Sequence, residues 1–283
     1  MENIYRSPQG EKEIVSMYDT LLKQWPQPNA PRFVPTRFGD TFVMQNGVAG
    51  GPPVLLLHGS STNNALWMAD AALLGQMHCV FAVDIIGEPG KSAKSRPALS
   101  GGSYANWLRD VMDGLGLQSA AIVGNSLGGW MALDFATVYP QRVDALILLA
   151  SGGICPVRVS LAFKALGCAL RGKKGKTRFT ALVTGDVPLS EEAQAFGALL
   201  QAHYVPRKVS PPVFEDGALK KLTMPLLYVG GEHDVFYDSK ACAARLASLL
   251  PHADARVLPD MPHTLINMGK EIRDFLEGTK NDD

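Results

Sequence analysis

Short, mostly apolar runs alternate along the chain with stretches whose apolar residues recur every three to four positions. The runs are Val54–Leu57, Cys79–Ile85, Ala120–Val123, Ala145–Leu149, Pro225–Val229 and Ala255–Leu258. Each is too short for a helix of ordinary length and carries no polar alternation, the pattern of a strand buried on both faces. Thr36–Gln45 is a further strand-like segment. Between the runs, Asn64–Leu74, Tyr104–Leu115, the stretch from Leu127 through Trp130, Leu133 and Val138, and Lys270–Glu277 follow helical spacing. Near the start, Ile14, Met17, Tyr18, Leu21, Leu22 and Trp25 share one face of a predicted amphipathic helix over residues 11–25. Pro26, Pro28, Pro31 and Pro35 then predict an extended connector. Strands alternating with helices predict an α/β fold, a mostly parallel sheet covered on both faces.

The alternation stops between Ser151 and Gly217. Helix-like pieces (Val159–Leu170, Ser190–His203) stand there among prolines, and nine Lys or Arg face five Asp or Glu. This region reads as a cap inserted over the mouth of the sheet, and the run Arg171–Lys176 within it as a solvated, mobile loop. The positive balance would favour anionic substrates. The expected organisation is an N-terminal helical extension (1–30), a core in two pieces (31–150 and 218–283) and a cap or lid (151–217).

Composition narrows the class without deciding it. At 283 residues the chain can bury one large core. With 27 basic and 27 acidic residues, no global field points to nucleic acid or to an anionic membrane. No apolar run approaches the length of a membrane span, and the first residues lack the charged and apolar regions of a signal peptide. Cys79, Cys155, Cys168 and Cys242 are scattered without a C-x-x-C, so free thiols in the cytoplasm are expected.

The candidate chemistry centres on Gly124-Asn125-Ser126-Leu127-Gly128, between the strand Ala120–Val123 and the helix that follows. A sharp strand-to-helix turn lifts a serine hydroxyl clear of the sheet, and flanking glycines avoid collisions with neighbouring elements. The hydroxyl then needs a base of near-neutral pKa and a group that orients the base. Of six histidines, His263 follows the last predicted strand and precedes the terminal helix, on the carboxyl edge that Ser126 occupies. His233 adjoins an acid and reads as a surface residue; His78, His203 and His252 lie on helical or connecting segments without a partner pattern. The acid should also leave a strand end. Asp234, after Val229-Gly230-Gly231, is the choice, with Glu232 and Asp238 as alternatives. The amide of Leu127, just after the serine, can donate to an oxyanion. A second donor should come from His58-Gly59-Ser60-Ser61, with Ser60 favoured over Ser61 and His58 read as a structural hydrogen-bonding group.

Taken in order, HGSS at 58–61, DIIGEPGKS at 84–92, GNSLGG at 124–129, GEHD at 231–234 and PHT at 262–264 resemble the α/β-hydrolase family. The resemblance spans about Thr36 to Leu276 and is specific as a set. It implies a predominantly parallel eight-stranded sheet with a variable cap after the sixth strand. By position it makes Ser126 the nucleophile, Asp234 the orienting acid, His263 the base, and the Ser60 and Leu127 amides the oxyanion hole. It also implies an acyl-enzyme that water hydrolyses. Family members with an aspartate nucleophile are disfavoured, because Ser126 holds that position.

Gly90-Lys91-Ser92 mimics the end of a phosphate-binding loop, but the full pattern needs glycine at 85, where this chain has Ile85. The segment reads instead as the glycine-rich loop after a core strand. No cofactor and no metal are expected: Glu232-His233-Asp234 lacks useful ligand spacing. The expected partner is a small-molecule ester of small or medium acyl size; the oligomeric state is left open. Carbon–carbon bond hydrolase, thioesterase, lactonase and acyltransferase activities would use the same residues. A peptidase, or a protein that keeps the fold but acts by binding a ligand or partner, are the readings from other classes.

Overall fold

The computed structural model describes residues 3–185 and 190–279. Eight strands form one sheet: β1 (Asn29–Val34), β2 (Thr41–Gly47), β3 (Pro53–Leu57), β4 (Cys79–Val83), β5 (Ala120–Asn125), β6 (Val143–Leu149), β7 (Leu226–Gly231) and β8 (Ala253–Leu258). Their order is β1-β2-β4-β3-β5-β6-β7-β8. β2 runs antiparallel to β1 and β4, and the other neighbours pair in parallel. The chain leaves β3 toward β4 on one side and later returns to β5 on the other. Loops after β3 and β5 therefore diverge, opening a crevice at the carboxyl ends of the two strands.

At the edge of the sheet, β8 has no fully buried residue; the apolar runs of the central strands are explained by two cores. Leu55 and Leu57 of β3 point into one, with Trp107, Trp130 and Phe135 from the helices α3 (Ser103–Gly114) and α4 (Leu127–Val138). Val54 and Leu56 point into the other, with Leu74 of α2 (Met68–Leu74) and Ile272 and Leu276 of α10 (Gly269–Gly278). Burying each such aliphatic side chain is worth roughly 1.5–3 kcal/mol, so a strand with no polar face gains on both sides. The remaining sheet helix, α9 (Ser239–Leu249), joins the first core through Cys242 and Leu246.

The N-terminal helix α1 spans Pro8–Leu22, with Pro8 at its first position and the Ser7 side chain accepting from the Gly10 amide. Its Ile14, Tyr18 and Leu21 form a third apolar cluster with Phe196 and Tyr204. Those two residues come from α7 (Glu191–His203) and the turn after it. Between β6 and β7 lie α5 (Val159–Ala169), α6 (Gly172–Thr184), α7 and the short α8 (Asp216–Leu219). Among the described residues no helix is long and apolar enough to cross a membrane.

Two expectations are corrected. Arg171–Lys176 is not a loop: α6 begins at Gly172 and runs to Thr184, with no proline to break it and with Lys174, Arg178, Ala181 and Leu182 as good helix formers among its glycines and threonines. The proline-rich connector contains β1, which starts the sheet at Asn29. Pro31 is tolerated because β1 is an edge strand, bonded only to β2.

Candidate active site

Ser126 sits between β5 and α4 with φ 51° and ψ −106°, a backbone conformation that costs a non-glycine residue of order 1–3 kcal/mol. Its own main chain over-determines the turn. The Ser126 amide donates to the Leu149 carbonyl at 2.9 Å, and the Ser126 carbonyl accepts from the Trp130 and Gly152 amides, both at 3.1 Å. The flanking glycines are required by close approach. A Cβ at Gly128 would stand 2.2 Å from the Leu57 carbonyl oxygen, and one at Gly124 would stand 2.4 Å from that of Gly128. No side-chain rearrangement relieves a collision with backbone, so the spacing G-x-S-x-G follows from packing α4 against β3 and β5.

His263 and Asp234 meet this serine from the far side of the sheet edge. The His263 Nε2 lies 2.9 Å from Ser126 Oγ, and Nδ1 lies 2.8 Å from Asp234 Oδ2. Asp234 is 1% exposed. Its other oxygen accepts from the Phe236 and Tyr237 amides at 2.7 and 3.0 Å, so the loop after β7 fixes the carboxylate before the imidazole reaches it. A carboxylate accepts only, which places the imidazole proton on Nδ1 and leaves Nε2 to accept from the serine hydroxyl. The histidine loop lies directly on β7: a Cβ at Gly231 would stand 2.2 Å from the Pro262 carbonyl oxygen. Phe236 packs on the imidazole, with ring centroids 4.4 Å apart.

The alternative residues are engaged elsewhere. Glu232 binds Lys240 at 2.8 Å, and Asp238 caps α9 through the Ala241 amide and faces Arg158 at 3.2 Å. His233 is exposed, and His203 lies 3.3 Å from Glu13. Among the described residues one group has metal-ligand proximity, Glu232, His233 and Asp260, with candidate ligand atoms within 4.8 Å of one another. It differs from the sequence triplet because Asp234 turns inward to His263 and Asp260 takes its place.

On the other side of Ser126 runs the loop after β3. A Cβ at Gly59 would lie 3.5 Å from Ser126 Cβ, so its backbone passes alongside the serine. His58 is fully buried. It accepts from the Ile85 amide at Nε2 (2.9 Å), and its Nδ1–H donates to the Gly59 carbonyl at 2.8 Å. Burial lowers its pKa, so it stays neutral and joins the loop after β3 to the loop after β4. The Ser61 amide donates to Glu88 Oε2 at 2.7 Å. Among the described residues the Ser60 amide, and that of Leu127 at the start of α4, make no backbone hydrogen bond.

The glycine-rich loop is filled by the protein itself. Asp84 accepts from Tyr18 Oη and the Asn64 amide, both at 2.9 Å, and from the Lys91 amide at 2.8 Å. A Cβ at Gly90 would stand 2.4 Å from an Asp84 oxygen. Lys91 Nζ pairs with Asp19 at 2.5 Å. What sequence reasoning missed here is Glu88, with Tyr204 and Arg207 as its side-chain partners. Glu88 lies inside a recognised motif, but the partners that give it meaning lie 116 and 119 residues away.

The description of the alpha/beta hydrolase fold matches residues 52–216, more than half of the chain. The chain belongs to the α/β-hydrolase fold family. Among other α/β-hydrolases, it is 30% identical over 260 residues to Carboxylesterase YbfK of Bacillus subtilis (strain 168), covering 88% of this chain and 86% of the relative. It is 32% identical over 257 residues to the uncharacterized carboxylesterase nap of the same strain, covering 88% and 85%. The crystal structure of naproxen esterase (carboxylesterase NP) from Bacillus subtilis superposes with a TM-score of 0.83 at 26% identity, over 98% of this chain and all of that one. The α/β-hydrolase sheet, eight-stranded and mostly parallel, is as the sequence motifs implied.

Proposed function

We propose that this α/β-hydrolase is a serine carboxylesterase acting on esters of small or medium acyl size. The observation that carries the reading is the hydrogen-bond chain from Ser126 Oγ through both nitrogens of His263 to Asp234, at 2.9 and 2.8 Å, ending on a serine in strained backbone. His263 Nε2 takes the hydroxyl proton as Ser126 Oγ attacks the ester carbonyl, and Asp234 stabilises the imidazolium. The carbonyl oxygen becomes an oxyanion that the Ser60 and Leu127 amides bind. The C–O bond then breaks, His263 returns the proton to the leaving alcohol, and an acyl group remains on Ser126. In the second half His263 takes a proton from water as the water oxygen attacks the acyl carbon; the bond from that carbon to Ser126 Oγ then breaks, His263 returns the proton to Oγ, and the carboxylic acid leaves. No cofactor or metal enters any step.

The likeness to proteins named as carboxylesterases supports esters over other acyl compounds. In this reading the segment 151–217 is a cap over the crevice and sets acyl preference. The four free cysteines fit a reducing compartment, the cytoplasm.

The test is hydrolysis of p-nitrophenyl esters of increasing acyl length by the parent and by Ser126→Ala. The parent turns over, and the variant is slower by about 10⁴- to 10⁶-fold. Equal rates would remove Ser126 from the mechanism.

A further inference from the structure

Ser61 has φ 61°, the left-handed region that a residue other than glycine enters only when its surroundings hold it there. What holds it is a carboxylate from another loop. Glu88, on the turn after β4, accepts the Ser61 amide on Oε2 at 2.7 Å. The same oxygen accepts from Tyr204 Oη at 2.7 Å, and Oε1 accepts from Arg207 Nε at 2.7 Å. The side chains of Glu88 and Arg207 are 0% and 9% exposed.

Both partners come from the segment that follows α7, where the helical insertion returns to the core. Arg207 also donates to the Ile86 carbonyl at 3.0 Å and stands over the Tyr104 ring. Arg96 closes the group, donating to Tyr204 Oη at 2.8 Å and to the carbonyls of Val205 and Gly87 at 2.7 and 2.9 Å. The chain's first residues brace the same segment, through Arg6 to the His203 carbonyl and Val205 to the Ile4 carbonyl.

A buried ion pair with only a packing role would close on Arg207 and Tyr204. This one extends to a single main-chain amide, next to Ser60 and at the strained residue of the loop that passes Ser126. The neighbouring Ser60 amide makes no backbone hydrogen bond among the described residues, and in the proposed mechanism it is this loop's donor to the oxyanion. We infer that Glu88 is a positioning residue for ester hydrolysis: it fixes the strained Ser61 turn so that the Ser60 amide meets the oxyanion, and Arg207 makes that alignment depend on the seating of the insertion. The inference rests on the esterase reading above and names how its oxyanion hole is held.

Removing one partner of a buried pair leaves a lone charge, whereas an apolar pair of similar volume is often tolerated. The informative variant is therefore Glu88→Met with Arg207→Met, compared with Glu88→Gln, which keeps an amide oxygen to accept from Ser61. Parent and variants are assayed for kcat and KM on p-nitrophenyl butyrate, for inhibition by a phenylboronic acid that places a hydroxyl in the oxyanion position, and for thermal unfolding. The double variant is expected to unfold cooperatively near the parent temperature. Its kcat falls about 10²-fold with KM within about twofold, and boronate inhibition weakens by a similar factor. Glu88→Gln recovers about tenfold of that loss.

Parental kcat in the double variant, or a change in KM alone, would overturn the inference. If the double variant does not fold, Glu88→Gln decides: a lower kcat at unchanged KM supports positioning, and parental kcat overturns it. Ser126→Ala in the same assay separates the two readings. A parental rate there overturns the esterase mechanism and this inference with it. A lost rate there beside parental kcat in the Glu88 variants overturns this inference alone.

Discussion

The two flanks of Ser126 are built in different ways. On the acid–base side, Asp234 and His263 follow β7 and β8, adjacent parallel strands of one sheet edge. Each of these residues lies within five positions of its strand end, and the loop's own amides at Phe236 and Tyr237 hold the carboxylate. On the opposite side, the loop after β3 is held by contacts to two distant segments: the loop after β4, through His58 to Ile85 and Glu88 to Ser61, and the stretch after α7, through Arg207 and Tyr204 to Glu88. The first flank is a product of sheet geometry. The second depends on tertiary contacts that run out to the insertion and the N-terminus. In the proposed mechanism the proton-transfer groups therefore stand on strand ends, while the oxyanion side answers to the insertion.

The largest effect should come from the sheet-built flank. Asp234→Asn keeps the shape but offers an amide where the imidazole Nδ1–H needs a carboxylate, which favours the wrong tautomer. Rate on a p-nitrophenyl ester is expected to fall about 10⁴-fold with little loss of stability. A loss below about tenfold would mean that another acid, Glu232 or Asp238, orients His263, and the contrast between the flanks would fail.

Asp70 links the helices that follow the two flanks. It lies on α2, downstream of the β3 loop, and packs against Met268 and Gly269 at the start of α10, downstream of His263; a Cβ at Gly269 would stand 3.2 Å from its Oδ1. Burial pushes its pKa up to about 7 from the ordinary 3.8, with Glu271 adding and the Gly269 and Met268 amides opposing. Between pH 3.8 and about 7 the native state thus holds a proton that the unfolded chain has lost. Stability from this group is fully present below pH 3.8 and is lost as pH rises through about 7. Asp70→Asn should remove that slope. Urea unfolding at pH 8 is expected to show the variant more stable than the parent by up to about 4 kcal/mol, with the gap closing toward pH 4. A gap that does not change with pH would show that Asp70 is ionised in the folded protein at both ends of the range.

The two flanks were not equally legible in the sequence. Apolar runs of four to seven residues marked most of the strands, because a strand packed on both faces has no polar position to spare. Ser126, Asp234 and His263 could be named because each follows such a run by a few residues. β1 was hidden: Pro31 and Pro35 argue against a strand, and only pairing with β2 makes one. α6 was hidden by its charge, since a basic run without an apolar stripe carries no periodic signal. Glu88 was hidden most completely. An acid beside proline and glycine in a loop reads as solvated, and nothing local announces an arginine more than a hundred residues later.

Tyr204→Phe sharpens the second flank with a smaller change. The phenol donates to Glu88 and accepts from Arg96 in a buried setting, so its loss should lower unfolding free energy by about 2 kcal/mol. Because Arg207 and the Ser61 amide still hold Glu88, kcat should fall less than in the Glu88 variants. A larger loss of kcat in Tyr204→Phe would make the phenol, rather than the ion pair, the main support of the Ser61 turn.

The smallest effect should come from the histidine beside the acid in sequence. His233 precedes Asp234, yet its side chain is exposed while that of Asp234 is buried, because the turn after β7 sends neighbouring residues in opposite directions. Its backbone amide binds the Met261 carbonyl at 2.9 Å, a bond that any residue except proline can make. His233→Ala is therefore expected to leave kcat within about twofold and stability within about 0.5 kcal/mol of the parent. His263→Ala, by contrast, removes the group that touches Ser126 and should match the loss in Ser126→Ala. If His233→Ala were the slower of the two, the base would lie on the loop after β7, and the hydrogen bond between His263 and Ser126 would have no part in the chemistry.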